Sequence, residues 1–412
     1  MLTAALSVAS MRANPIVLEL GFEITQEASE LAHPTQITFG PDGRLYVATL
    51  DGAILAFEYG PDGIAGGPDV VAIGVGSLLL GIGFDADGFL YASSNNGTEN
   101  SGFLARLIDQ DQDGCYETQQ RFVTDLPNAD HHNDQIAISG RTLYVGMGSR
   151  TDGGEQDDVI PVPAATLLRV DLDPINFDSP VEVYAYGLRN AFGIAIDEQQ
   201  RIWVGDNGRD SPLLPDELHI IIPGAHHGFP HEPALEDFVP PVVTLGCGTS
   251  ADGLDFYPAC GPWGPEFSGN IFITRFDYER DDPGGVGMDV VRIVLDRSDP
   301  DRPTGNPTIF AKGFFHPLDA EVDPYGNLLI MEHGTRGPGI DGRIFRIALD
   351  LRLPGDCDSD GIVTLTDYGL FVNCITGPGG EFSPGCSCAD ANGDRDVDLG
   401  DFAAFQVAFT GP

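Results

Sequence analysis

The stretch from Phe39 to Tyr59, "FGPDGRLYVATLDGAILAFEY", decides how the chain folds. It reads as a Gly/Pro/Asp turn, an apolar strand opening on Leu-Tyr, a polar corner and a second strand. The same order returns five times. "FDADGFLYASSNNG" from Phe84 is followed by "GFLARLI", and "ISGRTLYVGMGSR" from Ile138 by "ATLLRVDLD". "IDEQQRIWVGDNG" from Ile196 is followed by "DELHIII", "FSGNIFITRFDYER" from Phe267 by "DVVRIVLD", and "VDPYGNLLIMEHG" from Val322 by "GRIFRIALD". A unit of this kind leaves an apolar face uncovered, and radial stacking of several units buries it. Six units therefore predict an all-β, six-bladed β-propeller over residues 15–352. A β-sandwich does not account for the recurring turn-to-strand spacing.

Charge narrows the partners. Of 412 residues, 63 are acidic and 21 are Lys or Arg, a formal net charge of −42, which repels nucleic acid and anionic membranes. Hydrophobic residues make up 42%, so the acidity belongs to a folded protein. Asp-lined turns in such a chain suit calcium. No apolar run reaches membrane-spanning length. Residues 1–14, "MLTAALSVASMRAN", read as either a signal-peptide remnant or a disordered lead-in. The cysteines (Cys115, Cys247, Cys260, Cys357, Cys374, Cys386 and Cys388) form no CxxC pair. They predict disulfides in an oxidising compartment, with the odd one left over, and hence a secreted or cell-surface protein.

After Pro354 the composition changes. "DCDSDGIVTLTD" places Asp356, Asp358, Asp360, Thr364 and Asp367 at calcium-loop positions 1, 3, 5, 9 and 12, with Gly361 at position 6 and the Ile362 backbone at position 7. Thirty-four residues later "DANGDRDVDLGD" repeats the spacing with Asp390, Asn392, Asp394, Asp396, Asp398 and Asp401. Arg395 stands there where the sharp turn favours glycine, which predicts a weaker second loop. The duplicated loop and helix over residues 355–412 resembles the dockerin family. That resemblance implies a calcium-folded module that attaches the protein to a cohesin-like or cell-surface partner.

Within the propeller, "GLRNAFGIAID", "IWVGDNGRD" and "PDELHIIIPGAHHGFP" follow one another between Gly187 and Pro230. This succession resembles the soluble glucose/sorbosone dehydrogenases, six-bladed propellers that use pyrroloquinoline quinone (PQQ) and calcium. The resemblance implies Arg189 at the reacting quinone or substrate hydroxyl, with Asn190 beside the cofactor. It also implies cofactor calcium on the backbone carbonyls of Gly208 and Arg209. "NADHHNDQIAI" matches the segment carrying the catalytic histidine, which implies His131 as base and Asp130 as its substrate-binding neighbour. Oxidising a sugar hydroxyl needs a base for the proton while hydride leaves carbon, and neutral imidazole suits that task near pH 7. A guanidinium stabilises charge building on the acceptor.

Each of these residues also has a plainer role open to it: Arg189 as a structural ion pair, Asp206, Asp216 and Glu217 as turn caps, His226 and His227 as turn residues. "DQDQDGCYE" from Asp109 is a further candidate calcium loop. Two positions depart from the family pattern. His316, in "FFHPLD", stands where the family places a PQQ-gripping arginine, and a substrate-binding glutamine aligns with Gly76. Arg275 is a candidate replacement cofactor anchor. The leading expectation is a secreted sugar or aldose dehydrogenase dependent on PQQ and calcium. Its rival is a non-catalytic propeller that binds carbohydrate or protein. A metal-dependent lactonase ranks third, because no central Glu/Asn/Asp cluster is evident from the sequence.

Overall fold

The computed structural model describes residues 16–19, 21–154, 163–172, 180–210, 213–230, 237–278, 286–299, 302–335, 339–349, 355–358, 362–380, 386, 388–391 and 396–409. Six antiparallel sheets form the blades. From the channel outward, blade 1 is Pro34–Phe39, Leu45–Thr49, Ile54–Phe57 and Asp69–Ala72. Blade 2 is Leu78–Phe84, Leu90–Asn95, Gly102–Ile108 and Thr118–Leu126. Blade 3 is Asn133–Ser139, Thr142–Met147, Thr166–Asp171 and Glu182–Tyr186. Blade 4 is Ala191–Ile196, Ile202–Asp206, Pro215–Ile220 and Val243–Cys247. Blade 5 is Ala251–Phe256, Ile271–Tyr278, Gly287–Asp296 and Thr304–Lys312, edged by Val17–Leu18. Blade 6 takes Pro317–Val322, Leu328–Glu332 and Gly342–Leu349 from the end of the propeller, and its outer strand, Phe22–Leu31, from the beginning. The ring is thus closed by the N-terminal strand, a pairing of distant segments that the repeats did not reveal.

The recurring turn has a physical cause. Asp197 Oδ1 accepts from the backbone N–H groups of Gln199 and Arg201 at 3.0 and 2.9 Å, and Oδ2 from Trp203 Nε1 at 3.0 Å. Asp85 does the same for Asp87, Phe89 and the Tyr91 hydroxyl. One carboxylate therefore closes the turn and pins the aromatic that opens the next strand. Asp197→Ala leaves the buried Trp203 Nε1 and two partly buried backbone N–H groups without this acceptor. It is expected to lower the unfolding free energy by about 2–4 kcal/mol, read from thermal melting followed by tryptophan fluorescence.

Each innermost strand also carries a register slip at one common level. The slips fall between Pro34 and Gln36, Leu79 and Gly81, Asn133 and Ile136, Ala191 and Ile194, Ala251 and Leu254, and Pro317 and Asp319. Such bulges re-aim side chains.

A second compact unit comprises Leu349–Pro412 with the short stretch Glu19–Glu23. Its helices, Leu365–Phe371 and Leu399–Ala408, begin on capping boxes formed by Thr364 with Asp367 and by Asp398 with Asp401. Val363, Phe371, Ala389, Val397 and Phe405 make a small core, stapled by Cys357–Cys388 and Cys374–Cys386. Cys115, Cys247 and Cys260 lie outside both disulfides, which corrects the expectation of a single cysteine left over. They lie in blade 2, at the end of blade 4 and after the inner strand of blade 5, so no pair shares a turn. Among the described residues no helix is long and apolar enough to cross a membrane.

Candidate active site and calcium loops

Asp206 ends the second strand of blade 4 and organises the residues before the blade's inner strand. Its Oδ2 accepts from the Arg189 backbone N–H at 3.0 Å and its Oδ1 from that of Asn190 at 2.7 Å. Burial raises its carboxyl to about 7, against the lowering effect of His219 and these N–H groups. The Arg189 guanidinium, buried, donates to the Asn207 carbonyl at 3.1 Å and pairs with Asp152 at 2.9 Å. Asp152 was not foreseen; nothing in its local sequence marks it. Asp216 accepts from Gly208 N–H at 2.8 Å and from the Thr249 hydroxyl at 2.7 Å. A Cβ on Gly208 would stand 2.2 Å from the Pro215 carbonyl oxygen, so the strand end approaches closely only because this residue is glycine.

These groups surround a cavity of about 220 Å³ lined by Arg189, Asp206, Gly208, Arg209, Glu217 and Phe229, among others. Two guanidiniums and a glycine-bared backbone face one hollow in a strongly acidic chain. This donor set fits a polyanionic cofactor with a cation on the carbonyls.

His131 approaches from blade 3. Ser149 N–H donates to the Arg189 carbonyl at 2.7 Å, tying the two loops together. A Cβ on Gly148 would strike His131 Cβ at 2.2 Å and Asn190 Oδ1 at 2.8 Å, so glycine lets the two residues close on each other. The buried Asn190 Oδ1 has no hydrogen-bond partner. His131 Nδ1 lies 3.1 Å from both the carbonyl and the hydroxyl of Ser149, and that hydroxyl donates to the Thr151 carbonyl at 2.8 Å. Two acceptors on one side put the ring hydrogen on Nδ1 and leave the lone pair on Nε2. Burial, with the charge of Arg189 second, lowers this imidazole to about 4, so it is neutral at physiological pH.

Not every expected residue joins this group. Asp130 lines a second cavity, of about 250 Å³, with Asn128, His132 and Glu99. Arg275, expected as a cofactor anchor, is held within blade 5 by Asp289 at 2.8 and 2.7 Å and by the Leu245 carbonyl at 2.9 Å; that closed bidentate pair corrects the expectation. His316 stacks on Phe276 with centroids 4.6 Å apart and donates from Nδ1 to the Gly334 carbonyl at 2.8 Å. It lines neither cavity. Gly76 has φ +77°, and a Cβ there would stand 2.2 Å from Ser94 Oγ, so no glutamine side chain is accommodated. Buried His219 lies 3.1 Å from Glu217, and buried His227 packs edge-on to it at 5.2 Å.

In the C-terminal unit, Asp356, Asp358 and Asp367 bring oxygens within 4.8 Å of one another, as do Asp396, Asp398 and Asp401. Asp367 accepts from the N–H groups of Cys357, Asp358 and Thr364 at 2.7, 3.0 and 2.8 Å. Asp390 is not part of the second cluster, whereas Asp396 is. Ile362 and Thr364 are described; Asp360, Asn392 and Asp394 lie outside the described residues, as do Arg395 and residues 1–14. Asp109, Asp111, Asp113 and Glu117 also converge on the surface.

The sequence model of the glucose/sorbosone dehydrogenase family matches residues 31–279. No curated protein matches the chain. Among solved structures, the PQQ-bound aldose sugar dehydrogenase of Streptomyces coelicolor is 19% identical over 81% of this chain and 100% of its own, with a TM-score of 0.62. The calcium structure of a Trichoderma reesei protein of carbohydrate-active enzyme family AA12 is 17% identical over 81% and 97%, with a TM-score of 0.66. The holo PQQ domain of Coprinopsis cinerea pyranose dehydrogenase is 15% identical over 82% and 97%, with a TM-score of 0.63. At these identities the likeness establishes the propeller fold.

Proposed function

The chain belongs to the glucose/sorbosone dehydrogenase family, and from that premise we propose that it is a secreted PQQ- and calcium-dependent aldose dehydrogenase. The observation that carries this reading is His131, a neutral imidazole with Nε2 unprotonated, tied through Ser149 to the loop of Arg189. His131 Nε2 takes the proton of the sugar hydroxyl. Arg189 holds positive charge at the floor of the cavity, where charge develops as hydride leaves the sugar carbon. Asn190 orients the acceptor through its unpartnered Oδ1, and the Gly208 and Arg209 carbonyls hold the metal. When bound, PQQ supplies the hydride acceptor and calcium polarises it. Asp130, beside His131, contacts the sugar from the neighbouring cavity.

The C-terminal unit is read as a dockerin-like module. Asp356, Asp358, Asp360, Ile362, Thr364 and Asp367 form its first calcium loop, and Asp390, Asn392, Asp394, Asp396, Asp398 and Asp401 its second. It attaches the propeller to a cohesin-like or cell-surface partner, and the two disulfides suit export. A specific observation favours the rival, non-catalytic reading: Arg275 is closed off by Asp289 and Gly76 admits no side chain, which removes fixed contacts to cofactor and substrate. Titration with PQQ in calcium separates the two. The dehydrogenase binds PQQ saturably and then reduces an artificial acceptor when given aldoses. Absence of PQQ binding with calcium present overturns this reading in favour of the binding module.

A further inference from the structure

The bulges of the inner strands and the strand end beside them carry buried side-chain oxygens, two of which have no hydrogen-bond partner. In blades 3 and 5 the bulges carry Asp134 and Asp252, which are 2% and 1% exposed. Blade 4, between them, carries Gly193 at the same level, where a Cβ would stand 2.0 Å from the Asp252 carbonyl oxygen. The end of the second strand of blade 4 adds Asp206 and Asn207, both more than nine-tenths buried.

Nearly everything here accepts hydrogen bonds. Asn207 Nδ2 donates to Asp252 Oδ1 at 3.1 Å, which leaves Asn207 Oδ1 beside that carboxylate without any partner. Asp134 Oδ2 is likewise buried and unpartnered. Among the described residues Asp252 receives, besides Asn207, only the Ser250 hydroxyl, at 3.2 and 3.1 Å. The charges acting on Asp134 are those of Asp252 and Asp206, of its own sign. Burying one unpaired carboxylate costs several kcal/mol, and like charges around it add to the cost. A cation removes both penalties. An all-oxygen donor set with no imidazole or thiolate selects a hard divalent ion that keeps some water.

We propose that a calcium-type divalent cation binds in the central channel between blades 3 and 5, on Asp134 Oδ2, Asn207 Oδ1 and an Asp252 carboxylate oxygen, with Asp206 adding negative charge. Its ligands are side-chain oxygens, whereas Gly208 and Arg209, the residues after Asn207, offer backbone carbonyls, and it shares no residue with the C-terminal loops. It assembles a central Asp/Asn cluster that the sequence did not disclose, and its role is to lock neighbouring blades together. The inference does not depend on PQQ chemistry.

Trp203 and Trp263 are the chain's two tryptophans, and both are buried in the propeller, so their fluorescence reports its melting alone. The test compares full-length protein with Asp134→Asn and, separately, Asp252→Asn, each in excess calcium and in excess chelator. The C-terminal loops are the same in all three proteins and cancel from the comparison. Wild type is expected to gain melting temperature with calcium, and each variant to lose most of that gain while matching or exceeding wild type in chelator. The sign reverses because one uncompensated buried carboxylate is gone. Equilibrium dialysis should show one fewer calcium ion per chain. An equal calcium gain in all three proteins, with unchanged stoichiometry, overturns the proposal. An Asp134→Asn variant less stable than wild type in chelator as well as in calcium overturns it too, because the Asp134 carboxylate would then be making internal contacts.

Discussion

His131→Ala is expected to lower the turnover of an aldose by about 10²–10⁴-fold while leaving PQQ affinity within about twofold, because it deletes the base and no cofactor contact. Stopped-flow reduction of the reconstituted protein gives the first quantity and equilibrium titration the second. A parallel loss of affinity and rate would mean that His131 holds the cofactor instead. The pH profile is the sharper test. The imidazole acts as base only when neutral, and its burial, helped by Arg189, keeps it neutral down to about pH 4. The acid limb of the rate should therefore lie near pH 4, below the ordinary imidazole range. Arg189→Ala removes a nearby positive charge that disfavours protonation, so the limb should move to higher pH as the maximal rate falls. An acid limb already at the ordinary imidazole value in the wild type, or one that Arg189→Ala leaves in place, would count against His131 as the base.

Calcium removal is expected to melt the C-terminal unit while the propeller keeps its native tryptophan emission. The two helices described in the structure both belong to this unit. Their first turns are closed by Asp367 and Asp401, which also sit in the acidic clusters. Without a cation the clustered carboxylates repel one another, and the core beneath them is small. Each site stabilises the fold by about 4 kcal/mol when calcium stands at a thousand times its dissociation constant. Excess chelator should remove the helical far-ultraviolet dichroism of the full chain. The two disulfides keep the unfolded segment compact, so refolding on calcium addition should be complete. Asp356→Ala should lower calcium affinity more than Asp390→Ala, since Asp356 belongs to a formed cluster and Asp390 does not. Helical dichroism unaffected by chelator would show that the disulfides and capping boxes suffice without metal.

Much of this was legible in the sequence because it is local. The Asp-turn-aromatic spacing recurs since one carboxylate serves a turn and the next strand within a handful of residues, as Asp197 does for Trp203. Likewise Asp356 to Asp367 carry a ligand spacing that needs no distant partner to be read. The Gly187–Pro230 stretch pointed to Arg189 and Gly208, which line one cavity, and to Asn190, whose N–H is held by Asp206 of that lining. Contacts between distant segments were beyond it. Ring closure by Phe22–Leu31, the pairing of Arg189 with Asp152 and of Arg275 with Asp289, and the turning of Asp130 toward a second cavity depend on which blades become neighbours. Asp134 and Asp252, far apart along the chain, acquire their meaning only in the folded ring, where both sit at bulges of inner strands and burial removes the water that would have solvated them. Spacing along a chain determines turns, strands and loops; which charges lose their water, and what they then face, is decided when the ring closes.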